Sequence, residues 1–180
     1  MQAFAIAVWL VVLPYSMLAA ETCSSGAKTL DEKFGFRDVR FDTIVKDIQN
    51  LKQVPQDLYK TTRVKAYVRT TDTLNMFGQP LASITYFFFD DRLFVIDLQW
   101  GGDHSIDLLQ GFGDAFGCEL KSSDGLSGRD LSLVTVGEKA KFYGSVHITR
   151  GVAYGVAFLQ RLGVQQAIDE AIRKDAATQF

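Results

Sequence analysis

Apolar and polar positions alternate strictly from Arg63 to Arg69. Val64, Ala66 and Val68 point one way and Arg63, Lys65, Tyr67 and Arg69 the other, the pattern of a half-buried strand. A stronger signal follows: Ile84 to Phe89, then Asp90-Asp91-Arg92, then Leu93 to Trp100. Two β-rich runs around a short acidic turn predict a hairpin. A three-residue loop opposes Phe89 to Leu93, Phe88 to Phe94, Tyr86 to Ile96 and Ile84 to Leu98. Ile84, Tyr86, Phe88, Phe94, Ile96, Leu98 and Trp100 then share one face, with Thr85, Asp97 and Gln99 on the other. A two-residue loop sets Asp97 against Ile84 on the apolar face, where an unpaired carboxylate costs several kcal/mol. The three-residue register is therefore expected.

Helical spacing marks three further segments. Ile44, Val45, Ile48 and Leu51 fall on one face of a helix predicted over residues 42–51, with Asp42 or Thr43 as cap. Ser105 to Phe116 carries Ile106, Leu109, Phe112 and Phe116 on one side, and Gly117 stops it. Gly111 and Gly113 weaken that helix unless something packs closely there, and the sheet is the expected neighbour. The last helix starts near Val164 with a stripe of Val164, Ile168, Ala171 and Ile172. Residues 21–33 are small and polar and read as an N-terminal arm. Phe34 to Phe41 has strand-like content, 75–80 is a loop, and 122–130 reads as an exposed loop. Lys139 to Thr149 and Val152 to Phe158 form a second hairpin about Arg150-Gly151. Its small residues Ala153, Gly155 and Ala157 favour close approach of a helix.

The order of elements predicts an α+β fold, an antiparallel sheet with helices packed on it. A single domain spans 34–180, with half-repeats over 34–92 and 93–158 and a C-terminal helix over 164–177. The apolar leader, FGFRDVRFDTIVKDI and ITYFFFDDRLFVIDLQW together resemble small exported bacterial α+β proteins of unassigned function. The helix-plus-meander repeat is similar in outline to secreted β-lactamase inhibitor proteins.

The leader sets the compartment. Met1 to Ala20 carries no charged side chain, has an apolar run from Ala5 to Leu13, and ends in Leu18-Ala19-Ala20 before Glu21. This is the form of a signal peptide over 1–20 that directs the chain to the periplasm or the exterior. The alternative is an uncleaved anchor in the inner membrane, for which the run is barely long enough. Export in turn favours a disulfide between Cys23 and Cys118, the two cysteines of the chain. With 19 basic and 21 acidic residues the net charge is −2, which argues against nucleic-acid binding.

Catalytic signatures are sparse. His104 follows Asp103 at a helix start without further ligands at metal spacing. Ser145 and His147 share a strand face, so a small hydrolase is one reading, yet no Gly-x-Ser-x-Gly elbow accompanies them. Asp90-Asp91 is a turn rather than an acid–base pair. No cofactor, metal or catalytic set is assigned. The surface feature that points to binding is the stripe Arg63, Lys65, Tyr67 and Arg69, suited to an anionic ligand. The expectation is an exported, non-enzymatic envelope protein that binds a protein partner or an anionic ligand. The rivals are the Ser145/His147 hydrolase and a membrane-tethered structural protein.

Overall fold

A computed structural model describes residues 23–125 and 128–178. The leader therefore lies outside the described residues. Helix α1 (Ser25–Lys33) opens the chain, followed by a miniature hairpin, β1 (Gly35–Phe36) and β2 (Val39–Arg40). Strands β3 (Leu51–Val54), β4 (Val64–Arg69), β7 (Ser83–Phe89) and β8 (Arg92–Gly101) form one antiparallel meander. A small hairpin of β5 (Asn75–Met76) and β6 (Gln79–Pro80) branches from it. Helix α2 (Ser105–Phe116) leads to a second meander of β9 (Lys121–Gly125), β10 (Gly128–Val136), β11 (Ala140–Thr149) and β12 (Val152–Arg161). Helix α3 (Gln165–Ala177) follows.

The two meanders merge through their last strands. The sheet order is β3-β4-β7-β8-β12-β11-β10-β9, and β8 pairs antiparallel with β12. The expected α+β class holds. Each half is a helix and then a meander, so the halves open at α1 and α2, not at 34 and 93.

One face of the sheet, here called inner, is closed by α1 and α2. Tyr86, Phe88, Ile96, Leu98, Phe142 and Val146 are buried there in one cluster with Leu108, Leu109 and Phe112 of α2 and with Phe36, Val39 and Phe41 of the 34–41 segment. The small face of β12 helps, and Gly144 of β11 lets Leu109 approach. Gly117 caps α2 in the left-handed conformation expected of it, φ 65°. Ile106 differs from expectation: it faces solvent, and Leu108 takes its place in the core. Gly111 and Gly113 also differ, since Phe77 covers the first and the Cys118 carbonyl the second, not the sheet.

The outer face carries a smaller core. Ile168 and Ala171 of α3 pack on Val64, Ala66, Phe87, Phe89, Phe94 and Val95. Phe94 was expected on the other side, and the hairpin turn explains the change. Asp90 and Asp91 both take positive φ, 48° and 62°, making a two-residue turn whose twist suits the strands. Phe89 then opposes Arg92 and Phe88 opposes Leu93, and a bulge at Phe94 restores Tyr86 to Ile96 and Ile84 to Leu98. The turn and bulge exchange the faces of two residues, Leu93 to the inner side and Phe94 to the outer, and keep Asp97 off the inner face.

Three segments fold otherwise than their patterns predict. The arm over 21–33 is mostly helix α1, held down by buried Gly26 and Leu30. Residues 42–51 are not a helix. Asp42 and Asn50 stand at positive φ, 64° and 62°, and only Val45–Asp47 makes a 3-10 turn. The Asp42 and Val45 amides donate to Leu93 and Asp91 carbonyls at 3.0 and 2.9 Å, and Thr43 accepts from Leu93. Pairing with the start of β8 wins over a helix that would have been only half-buried. The loop expected over 122–130 is the hairpin of β9 and β10.

The cysteines are joined, Cys23 to Cys118, with Cα atoms 5.7 Å apart. The Cys23 amide donates to the Val134 carbonyl at 3.1 Å, so the bond ties α1, the end of α2 and β10 together. Among the described residues no helix is long and apolar enough to cross a membrane.

Candidate functional site

Helix α3 covers the outer face over β4, β7 and β8, and Phe158 of β12 packs against the edge of that core. Beyond Phe158 the outer-facing residues of β12, β11 and β10 join no core cluster among the described residues, and they form rows across the strands. Tyr143 lies between Phe158 and Val134, Ser145 between Val156 and Ser132, and His147 between Tyr154 and Asp130. Tyr154 is 60% exposed and Tyr143 37%, with Val136 and Val152 also open to solvent. Rings with polar tips on a rigid sheet are suited to contact another molecule, since they lose little conformational entropy on binding.

Ser145 and His147 stand on this face as expected, and Asp130 adds a carboxylate that hydrogen-bonds the His147 Nδ1. The bond draws the imidazole toward β10, whereas Ser145 lies two residues along β11, roughly 6–7 Å away. No hydrogen bond joins Ser145 to His147. The amides of β11 are committed to ladders with β10 and β12, so none stands ready as an oxyanion donor here. Two members of a triad are therefore present without the nucleophile's contact.

At the border of the covered and open regions sits Asp97, 3% exposed. It lies between Thr85 and Phe158, and its Oδ2 accepts from Gln99 Nε2 at 2.8 Å. Its Oδ1 is buried and has no hydrogen-bond partner among the described residues. Burial pushes this carboxyl above the usual range and outweighs the Gln99 bond. Tyr59 shares the environment: burial and then the charge of Asp97 raise its phenol, while its ring packs edge-on against Phe87 and Phe94.

The basic stripe is placed differently from its pattern. Arg63 pairs with Asp90 and lies over the Phe89 ring, Lys65 binds Asp91 at 3.2 Å, and Arg69 holds both oxygens of Asp38 at 2.8 Å. Tyr67 packs edge-on against Phe88. Each cation of the stripe thus has its own carboxylate, and an anionic ligand would have to displace Asp90, Asp91 or Asp38. Beneath Arg69, Asp72 accepts from the Tyr86 hydroxyl at 2.7 Å within a network that includes Arg37. Burial first, and then this carboxylate, raises the Tyr86 phenol well above its ordinary value.

Sequence reasoning missed Asp130, Asp97 as a buried acid, and the aromatic outer face. Tyr154 was visible as an alternating position, but which side of β12 stays open depends on where α3 lands. Among the described residues no group of three or more His, Cys, Asp or Glu side chains is placed to hold a metal. No family model, curated protein or solved structure matches the chain.

Proposed function

We propose that this is an exported, non-enzymatic binding module of the bacterial envelope that meets a partner protein on the outer side of β10, β11 and β12. One observation carries the reading: α1 and α2 close the inner side of β10, β11 and β12, while Tyr143 and Tyr154 on the outer side of the same strands stay exposed among the described residues. Exposed aromatic patches on a rigid frame are enriched where proteins associate. The oxidised cysteine pair and the apolar leader support export. The test is capture from the native envelope fraction with the parent and with the double variant Tyr143→Ser, Tyr154→Ser. The parent retains a defined partner that the folded variant loses; retention by both sinks the reading. Intact mass of exported protein checks maturation, with a start at Glu21 expected, and full-length mass would instead favour the tethered structural protein.

The Asp130–His147 contact favours a second reading, a small hydrolase with Ser145 as nucleophile. A fluorophosphonate probe decides it. Labelling of Ser145 that is lost in His147→Ala would establish the enzyme, and an unlabelled chain would leave the binding module.

A further inference from the structure

From Leu93 to Leu120 the chain carries five carboxylates, Asp97, Asp103, Asp107, Asp114 and Glu119, and neither lysine nor arginine. Two of them, Asp107 and Asp114, flank an open groove of about 490 Å³ on the solvent side of α2. Phe77, Gln110, Gly111 and Ala115 complete its lining. Seven residues make nearly two helical turns, so these carboxylates share one stripe about 10 Å apart. Gly111 lies between them on that stripe, and the Phe77 ring rests on it. A Cβ at Gly111 would stand 2.5 Å from that ring.

Phe77 holds this position against local preference. It is the first central residue of a two-residue turn followed by Gly78, and both take positive φ, 51° and 78°. Such a turn favours Asn-Gly, and a bulky aromatic there is strained. The ring nevertheless stays 45% exposed, braced edge-on against Phe112 at 5.1 Å. Arg37 donates to the Asn75 carbonyl at 2.7 Å and so fixes the β5–β6 hairpin from the other side. The groove therefore combines a fixed aromatic surface, a glycine floor and two carboxylates. No lysine or arginine lines it to neutralise them. The neighbouring groups are His104, 3.9 Å from Asp107, and Gln110, which donates to Asp114 at 2.9 Å.

We infer that this groove is a docking site for a basic segment of a partner protein. An arginine or lysine lies along the Phe77 ring, and its charge, with that of a second basic residue, meets Asp107 and Asp114. Charge complementarity selects the occupant, because a cation over an aromatic face gains from the ring quadrupole and from both carboxylates. The surface is separate from the aromatic outer face and does not depend on it.

The test is titration of isotope-labelled full-length protein with a nonapeptide of alternating arginine and glycine, followed by amide chemical shifts. A peptide with glutamate in place of arginine is the control. The arginine peptide is expected to shift Phe77 and Asp107 to Ala115, less so at higher salt, and the control to shift nothing. Asp107→Asn with Asp114→Asn should weaken binding about three- to tenfold. Phe77→Asn should weaken it about threefold while the melting temperature holds or rises, because the turn is relieved. The Tyr143→Ser, Tyr154→Ser variant should bind the peptide unchanged. Shifts centred elsewhere, equal binding by the groove variants, or magnesium alone reproducing the shifts would overturn the inference.

Discussion

The inner and outer faces of the sheet are covered in different ways. Helix α1 is fastened at both ends, by the Cys23–Cys118 bond and by Asp31, whose carboxylate accepts from the amides of Glu138, Lys139 and Ala140. Helix α3 rests on an apolar stripe and one polar anchor, Asp175, which accepts from the Thr61 hydroxyl at 2.7 Å and the Thr62 amide at 3.1 Å. The stapled side can bury a polar, weakly amphipathic helix. The other side holds its cover chiefly through apolar contact, with Asp175 as the polar anchor, and the cover stops where the apolar stripe of the sheet ends. A face closed by covalent and charged clamps is committed, and one closed by packing leaves room for another molecule.

The largest expected effect breaks the inner clamp. Replacing both cysteines by serine should lower stability by about 4–5 kcal/mol on the chain-entropy account of a closed loop of this length. Urea unfolding of parent and variant measures it, and a loss under 1 kcal/mol would mean that Asp31 and packing alone hold α1.

Next comes the inner core itself. Ile96→Ala should cost about 3 kcal/mol, whereas Thr85→Ala on the outer side should cost well under half of that. Equal costs would remove the distinction between the faces.

Two carboxyls sharpen the comparison through pH. For Asp31, burial pushes upward but the three backbone donors outweigh it, so its folded value lies below the ordinary one. Its contribution is therefore complete above the unfolded carboxyl range and fades as pH falls through the folded value. Asp31→Asn should cost about 1–2 kcal/mol at pH 7 and nearly nothing in strong acid. Asp97 has the opposite sign. Its raised value means that its contribution is present below the unfolded range and is lost as pH rises through the folded value. Asp97→Asn should thus gain about 1 kcal/mol at pH 7 relative to acid, the smallest effect of the set. Thermal melts between pH 3 and 7 read both, and parallel curves for the two variants would contradict the assignment.

Much of the frame was legible from alternation and spacing. The β4 strand, the β7–β8 and β11–β12 hairpins, helices α2 and α3 and the cysteine pair all follow from patterns that extend over several residues. The failures share a cause. Ser25–Lys33 has a single large apolar residue, Leu30, so nothing periodic marks α1; its stability comes from residues far along the chain. Residues 42–51 have a helical stripe, but backbone pairing with β8 claims it. Phe94 changed face because a turn of two positive-φ aspartates and a bulge replaced the simple loop. The candidate sites were the least legible part. Asp130 and His147 meet across a strand pair, and Phe77 at the tip of the β5–β6 hairpin meets Gly111 of α2, so only the folded chain brings either together.

The seam between β8 and β12 has a consequence for assembly. Within each meander every strand pairs with a neighbour close in sequence, so both can form from short-range encounters. The seam joins residues such as Trp100 and Gly155, which are distant in the chain, and until it closes each meander shows an open edge made of its final strand. That edge on β8 runs through Val95, Ile96 and Leu98. A second copy offers the same β12 that the chain itself supplies, so two molecules that trade second halves would recreate the native contacts outside the 102–104 connection, with each Cys23–Cys118 bond now joining the two copies. Slow closure of the seam at high protein concentration should therefore produce an exchanged dimer rather than amorphous aggregate, separable by size and, once its cysteines are joined, returning to monomer only through unfolding with reductant present.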